Sequence, residues 1–272
     1  MNKMYQTELI TQIHKEIKEG TFPRFSLFCG QYGDEKNMFA SMIARAFDCT
    51  LVELPDYKAD TVRSLINECY SRTGMLVVAM NDIEDMSTQA KNALLKVTEE
   101  PPNHVYFVMT TNDYQSILDT IRSRATLYHL DHYSYQDLKH YCETVHNLDE
   151  YDINNLFNFC ETPGDIDIIV KYGPTKFWDY VNKVVDNIAT VSGSNAFKIA
   201  DSIQFKDADA DKYDLRLFWE CFSAVCAEKH FSKGTLVTLH YLKALRTKAI
   251  NKTMLFDMWI LEIRREWMNG SC

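Results

Sequence analysis

Short apolar runs alternate with helix-period segments through the first half of the chain. SLFC (26–29), LVEL (51–54), MLVVAM (75–80), VYFVMTT (105–111) and TLYHL (126–130) have the length and content of strands. LVVAM is apolar on both faces, as in a parallel sheet covered by helices on each side. Between the runs, Phe39, Met42, Ile43 and Ala46 recur at i, i+3, i+4 and i+7. Ala90, Ala93, Leu94 and Val97 repeat that stripe, with Ser87 placed to cap the helix and Pro101-Pro102 to stop it. The alternation predicts a doubly wound α/β domain over residues 1–130. Beyond Leu130 the β signal fades. SYQDLKHYCETV and INNLFNFC read as short helices, and ETPGD (161–165) opens another segment, giving a small helical domain over 131–174. From about Thr175 everything reads as helical, with SGSN (192–195) and KDADADK (206–212) as polar loops, so 175–272 forms an all-α domain. Its last helix, TMLFDMWILEIRREW (253–267), is apolar on more than one face and is expected to lie against other helices or a partner.

Composition narrows the function classes. A chain of 272 residues, 46% hydrophobic and 25% charged, has enough apolar content for more than one core. Its net charge of −9, with no clustered Lys/Arg run, argues against gripping nucleic acid unaided, though not against a basic surface shared with other subunits. No run is long and apolar enough to span a membrane, and MNKMYQTELI lacks an apolar signal core, so the cytoplasm is expected. The eight cysteines are scattered without C-x-x-C and read as buried small apolar residues in a reducing compartment. No metal site is expected. Asp207, Asp209 and Asp211 mimic the start of a calcium loop, but Lys212 and Phe218 replace its Gly and Glu. His129 and His132 flank Asp131 without a third ligand at useful spacing.

The stretch FCGQYGDEKNMF (28–39) carries candidate chemistry. Gly30, Gly33 and Lys36 follow a strand and open an amphipathic helix, the setting of a G-x-x-x-x-G-K-[ST] phosphate loop. Glu35 stands where the second Gly would admit the phosphate, and Asn37 replaces the hydroxyl that holds magnesium. At the end of MLVVAM, Asn81 and Asp82 occupy places where an active P-loop ATPase has a metal-associated Asp and a water-orienting Glu. Glu84 and Asp85 read as a solvated acidic turn before the next helix.

KNALLKVTEEPPNHVYFVMTTNDYQSILDTIRSRATLYHL resembles the clamp-loader branch of the AAA+ superfamily. That branch includes the bacterial DNA polymerase III delta-prime and gamma/tau subunits and the replication factor C small subunits. Its N-A-L-L-K-x-L-E-E-P-P segment corresponds to Asn92–Pro102, with Thr98 replacing a Leu. Its I-L-x-T-I-x-S-R-C box corresponds to Ile117–Ala125, without the final Cys. Residues 9–47 follow the family's opening of amphipathic helix, Pro/Arg turn, strand and loop, whereas the carboxyl half matches weakly, its terminal helix being similar to a collar helix that assembles subunits into a ring.

The resemblance implies an AAA+ sheet domain, a helical lid and a collar. It places Thr111 and Asn112 at the sensor-1 strand end, although Asn112 could equally cap the next helix. Arg124 corresponds to an arginine finger that enters the ATP site of a neighbouring subunit. The sensor-2 Arg is missing: ETPGDIDII offers Gly164 or Asp165 there, with no Arg nearby. The four-cysteine zinc module is absent too, since only Cys49 and Cys69 fall in that interval. Two functions follow. The first is a delta-prime-like subunit with a degenerate site at Gly30, Gly33, Lys36, Asn37, Asn81, Asp82 and Asn112. It would require no cofactor, holding ATP or ADP with magnesium weakly if at all, and would lend Arg124 to a neighbour. Its partners would be other loader subunits and, through them, the sliding clamp and primer-template DNA. The second is a gamma/tau-like ATPase working with Lys36 and Asp82. An unrelated P-loop enzyme, such as a small kinase, does not account for the box or the helical tail.

Overall fold

The computed structural model describes residues 6–188, 197–204, 212–245 and 251–270. Its internal contacts divide the chain into two units, Met1–Tyr133 and Ser134–Cys272.

In the first unit, five strands form one parallel sheet: β1 Phe25–Cys29, β2 Thr50–Glu53, β3 Leu76–Met80, β4 Val105–Thr111 and β5 Thr126–His129. Each falls on an apolar run noted above. Their spatial order is β2-β3-β4-β1-β5. Helices α1 Thr7–Glu19, α2 Lys36–Ala46, α3 Ala59–Ser71, α4 Thr88–Glu99 and the short α5 Asp119–Arg122 cover both faces. Alternate strand residues serve opposite cores, as the pleat requires. Leu27, Val78, Met80, Phe107 and Met109 pack with Val62, Leu65 and Ile66 of α3 and Ala90 and Leu94 of α4. Phe28, Val77, Ala79 and Val108 pack with Ile13 of α1 and Phe39 and Ile43 of α2. All five β3 residues are buried, which is why its sequence shows no alternation. Phe28 stacks between Phe39 and Tyr128, with ring centroids 4.7 and 5.0 Å away. Ser87 caps α4 as expected, its hydroxyl accepting from the Ala90 N–H at 3.2 Å. From β1 the chain crosses through α2 to the edge strand β2, whereas β4 leads through α5 to β5. The carboxyl ends of β1, β3 and β4 therefore meet where open α/β sheets hold their ligands.

The second unit is built of α6 Tyr135–Val145, α7 Glu150–Leu156, α8 Pro163–Tyr172, α9 Pro174–Asn187, α10 Leu215–Glu228, α11 Ser232–Leu245 and α12 Lys252–Gly270. Leu217, Phe218, Trp219 and Phe222 of α10 and Phe256, Trp259 and Ile260 of α12 are fully buried. Trp259 Nε1 donates to Thr238 Oγ1 of α11 at 3.1 Å, so the indole is buried without an orphaned donor. The other face of α12 leaves Met254, Met258, Leu261 and Met268 at least half exposed. One expectation fails here. Between α9 and α10 the chain is not all helical, because β6 Ile203–Gln204 and β7 Tyr213–Asp214 pair in parallel. Ile203 is fully buried and the Tyr213 ring packs on Tyr172, Phe177 and Tyr180, so packing decides the local form in pieces too short to show a period. The SGSN loop and Asp207, Asp209 and Asp211 lie outside the described residues. Among the described residues, no helix is long and apolar enough to cross a membrane.

Candidate functional site

The loop from β1 to α2 turns at Gly33, whose φ of +77° suits a residue without Cβ. Gly30 is needed for a different reason. A Cβ there would lie 1.8 Å from Asp34 Oδ2, because the Asp34 carboxylate folds back into the loop. Asp34 Oδ1 accepts from the Lys36 N–H at 3.2 Å and from Lys36 Nζ at 2.6 Å. A backbone hydrogen bond from Gln31 also favours the ionised carboxylate. The two side chains are almost closed to solvent, at 4% exposure for Lys36 and 3% for Asp34. Lys36 Nζ donates further to the Gln31 carbonyl at 2.5 Å and Asn112 Oδ1 at 2.7 Å. An ammonium has three donors, and all three are engaged. The Glu35 N–H donates to the Tyr133 hydroxyl at 3.2 Å.

The ends of β3 and β4 complete the group. Asp82 adopts the left-handed conformation, φ 46° and ψ 53°, which Asp tolerates better than most residues. Its N–H donates to Thr110 Oγ1 at 2.8 Å. The reversal turns Glu84 inward to 4% exposure. Asn112 is the joint: its N–H donates to Glu84 Oε1 at 2.8 Å, and Nδ2 donates to Asp82 Oδ1 at 2.9 Å and Glu84 Oε1 at 3.0 Å. One carboxylate, Asp34, thus pairs with the ammonium directly, and Asp82 and Glu84 join it through Asn112. Burial pushes the Asp34 carboxyl up, against the pull of Lys36. Burial, followed by the Glu84 charge, pushes Asp82 up as well.

The structure brings Lys36, Asp82 and Asn112 together and leaves the other expected residues outside their hydrogen-bond group. Asn37 is exposed on α2. The Asn81 carbonyl accepts from Tyr57 OH at 2.5 Å, and its Oδ1 is buried without a hydrogen-bond partner. Thr111 Oγ1 accepts from the Asp113 N–H at 3.1 Å. Asp113, not Asn112, caps the turn that follows, accepting from the Gln115 N–H at 3.0 Å. Two members escaped the sequence. Glu84 is no solvated turn residue, because the left-handed step at Asp82 sends it inside, and one sequence does not announce that step. Asp34 had a visible signal, an acidic residue two positions before the lysine of an anion loop.

Arg124 lies just past α5, a third exposed, donating to the Thr120 carbonyl at 3.0 Å and to Glu99 Oε1 at 3.1 Å. At the start of α8, Thr162 caps the helix and Asp165 is buried. An arginine does reach that position, from α10: Arg216 pairs with Asp165, and with Glu220 at 2.9 Å. Sequence proximity could not reveal it, and both of its carboxylate partners already hold it. Burial, against the pull of Arg216, pushes Glu220 up to about 7.

Solved structures share the fold. A DNA polymerase III gamma subunit-related protein from Thermotoga maritima superposes with a TM-score of 0.51 at 14% identity, covering 95% of this chain and 99% of that one. A point variant of Thermotoga maritima RuvB gives 0.53 at 12% identity, covering 85% and 89%. The fold is that of an AAA+ protein. Residues 53–134 match the family described as DNA polymerase III, delta subunit. Yersinia pestis DNA polymerase III subunit delta-prime is 39% identical over 74 residues, 26% of this chain and 22% of that protein. The Escherichia coli tau subunit is 25% identical over 168 residues, 51% of this chain and 26% of that protein. The chain spans about a quarter of the length of the curated relatives it matches. Over this segment the chain is similar to DNA polymerase III delta-prime, gamma and tau subunits alike.

Proposed function

We propose that the chain is a cytoplasmic clamp-loader subunit of delta-prime type, one that does not turn over ATP at its own loop and lends Arg124 to a neighbouring subunit. The observation that carries this reading is the state of Lys36, buried and bonded to Asp34, Gln31 and Asn112. Magnesium-ATP does not fit the residues present. The buried Asp34 carboxylate pairs with the lysine, and Asp82 and Glu84 join it through Asn112, so a triphosphate would meet negative charge in a setting of weak screening. Asn37 is exposed on α2 and Asn81 supplies no charge for a cation. The gamma/tau-like alternative has support in its longer match to tau, but it needs Lys36 and Asp82 available to a nucleotide. Arg124 is the opposite case, partly exposed and held by one carbonyl and one exposed carboxylate. In this reading residues 131–174 are the lid and 175–272 the collar, and the exposed Met254, Met258 and Leu261 row of α12 meets another subunit. The sliding clamp and primer-template DNA are reached through the assembled ring. The test is reconstitution with loader subunits and a clamp. The expected outcome is no phosphate release by this chain alone, and clamp- and DNA-stimulated hydrolysis by the complex that depends on Arg124. Turnover by the isolated chain that Lys36→Ala abolishes would establish the alternative.

A further inference from the structure

Three donors of the kind that a phosphate loop aims at an anion already hold one in this chain. The carboxylate of Asp34 takes the Lys36 ammonium at 2.6 Å and the Lys36 backbone N–H at 3.2 Å, with a further backbone hydrogen bond from Gln31. Those are a helix-start amide, a loop amide and the loop lysine, the donor set that such loops offer a phosphate. The carboxylate also lies directly over Gly30, where a Cβ would stand 1.8 Å from Oδ2. A glycine that permits close backbone approach here permits it to Asp34. At 3% exposure, this carboxylate is enclosed by the loop rather than projecting from it.

We propose that Asp34 is the resident anion of the loop, a built-in occupant that takes the place of a polyphosphate and holds Lys36 in its buried position. This rests on the reading of the loop as descended from a phosphate site, and it goes further by naming what excludes the ligand. The two substitutions conspicuous in the sequence, Glu35 and Asn37, are then secondary. Glu35 has a permitted backbone, and Asn37 stands outside the group. Removing the Asp34 charge takes the anion away from these donors and leaves Lys36 on the neutral Gln31 carbonyl and Asn112, while Asp82, Glu84 and Asn112 keep their own bonds to one another.

The experiment uses the full chain and two probes, tripolyphosphate and ADP, titrated calorimetrically against wild type, Asp34→Asn, Asp34→Gly and Asp34→Gly combined with Lys36→Ala. Asp34→Asn keeps the shape and guards against loss of fold in the glycine variant, which circular dichroism checks. The expected result is affinity at least ~10-fold tighter in both Asp34 variants than in wild type, lost again in the double variant. A second readout needs no nucleotide: acylation of Lys36 by an amine-directed reagent, followed by mass spectrometry, should be slow in wild type and fast in Asp34→Gly. Folded Asp34 variants that bind no tighter, with Lys36 still inert, overturn the proposal and leave the delta-prime reading standing. Tight ADP binding by wild type without turnover also overturns it alone. Wild-type binding with turnover overturns both.

Discussion

Lys36 and Arg124 are the two cations to which the proposed function gives a part in ATP use, and the fold treats them in opposite ways. Lys36 sits at 4% exposure with three acceptors, one of them a buried carboxylate. Arg124 stands at 36% exposure against a carboxylate that is itself 61% exposed. An ion pair in the first setting is strongly coupled to the protein, and its partners are costly to leave alone. One in the second setting contributes little and is screened by water and salt. The difference teaches that retaining a charged residue in a motif says nothing of whether its charge is available.

The largest expected effect lies with Arg124, and it is an effect on other chains. In the reconstituted complex, Arg124→Ala should lower hydrolysis at the neighbouring site by ~10³-fold, the usual scale for a finger supplied in trans. Steady-state phosphate release with clamp and DNA present measures it, and an unchanged rate breaks the contrast with Lys36.

Lys36→Met should act the other way round. It leaves Asp34 buried and uncompensated, so the first unit should lose about 3–5 kcal/mol, while hydrolysis by the complex is unaffected. Hydrogen exchange of the β1 and β4 amides reports that loss, and pairing the change with Asp34→Ala should restore most of it.

A third test concerns the buried cluster of the second unit. The Glu220 carboxyl is pushed from an ordinary 4.5 up to about 7 in the folded protein, so the folded state binds the proton more tightly than the unfolded one. Stability contributed by this group is complete at pH below about 4.5 and is lost as pH rises through about 7. Wild type should therefore lose up to a few kcal/mol between pH 5 and 8, and Glu220→Gln should flatten that slope. All four tryptophans, Trp178, Trp219, Trp259 and Trp267, fall in this unit, so denaturation followed by their fluorescence reads it without the first.

The smallest effect should be that of Arg124→Ala on the isolated chain, under about 1 kcal/mol, as for other exposed pairs. A thermal melt suffices, and a large drop would mean that Glu99 and Arg124 are structural after all.

The sheet was legible because its strands are continuous apolar runs and its helices keep strict stripes. β6 and β7 were not, since two residues carry no period and their pairing depends on an aromatic cluster assembled from distant segments. Within the site, Lys36, Asp82 and Asn112 could be named from motif position. Glu84 could not, because its burial follows from one backbone reversal at Asp82. Arg216 could not either, lying 51 residues from the Asp165 it neutralises. Local reading finds residues whose role is set by neighbours in sequence, and it misses those delivered by topology.

Gly30 has a consequence for how such a loop could change. Its missing Cβ accommodates Asp34 at a distance no other residue would allow. Restoring Gly at 35 leaves the carboxylate in place, and removing Asp34 leaves Glu35 and Asn37 unsuited to a metal-bound triphosphate. On the proposed reading no single substitution would return a working catalyst, so the route back would cross a plateau on which selection has nothing to grip. A glycine in such a loop records that something comes close to the backbone, and here the something is part of the same chain.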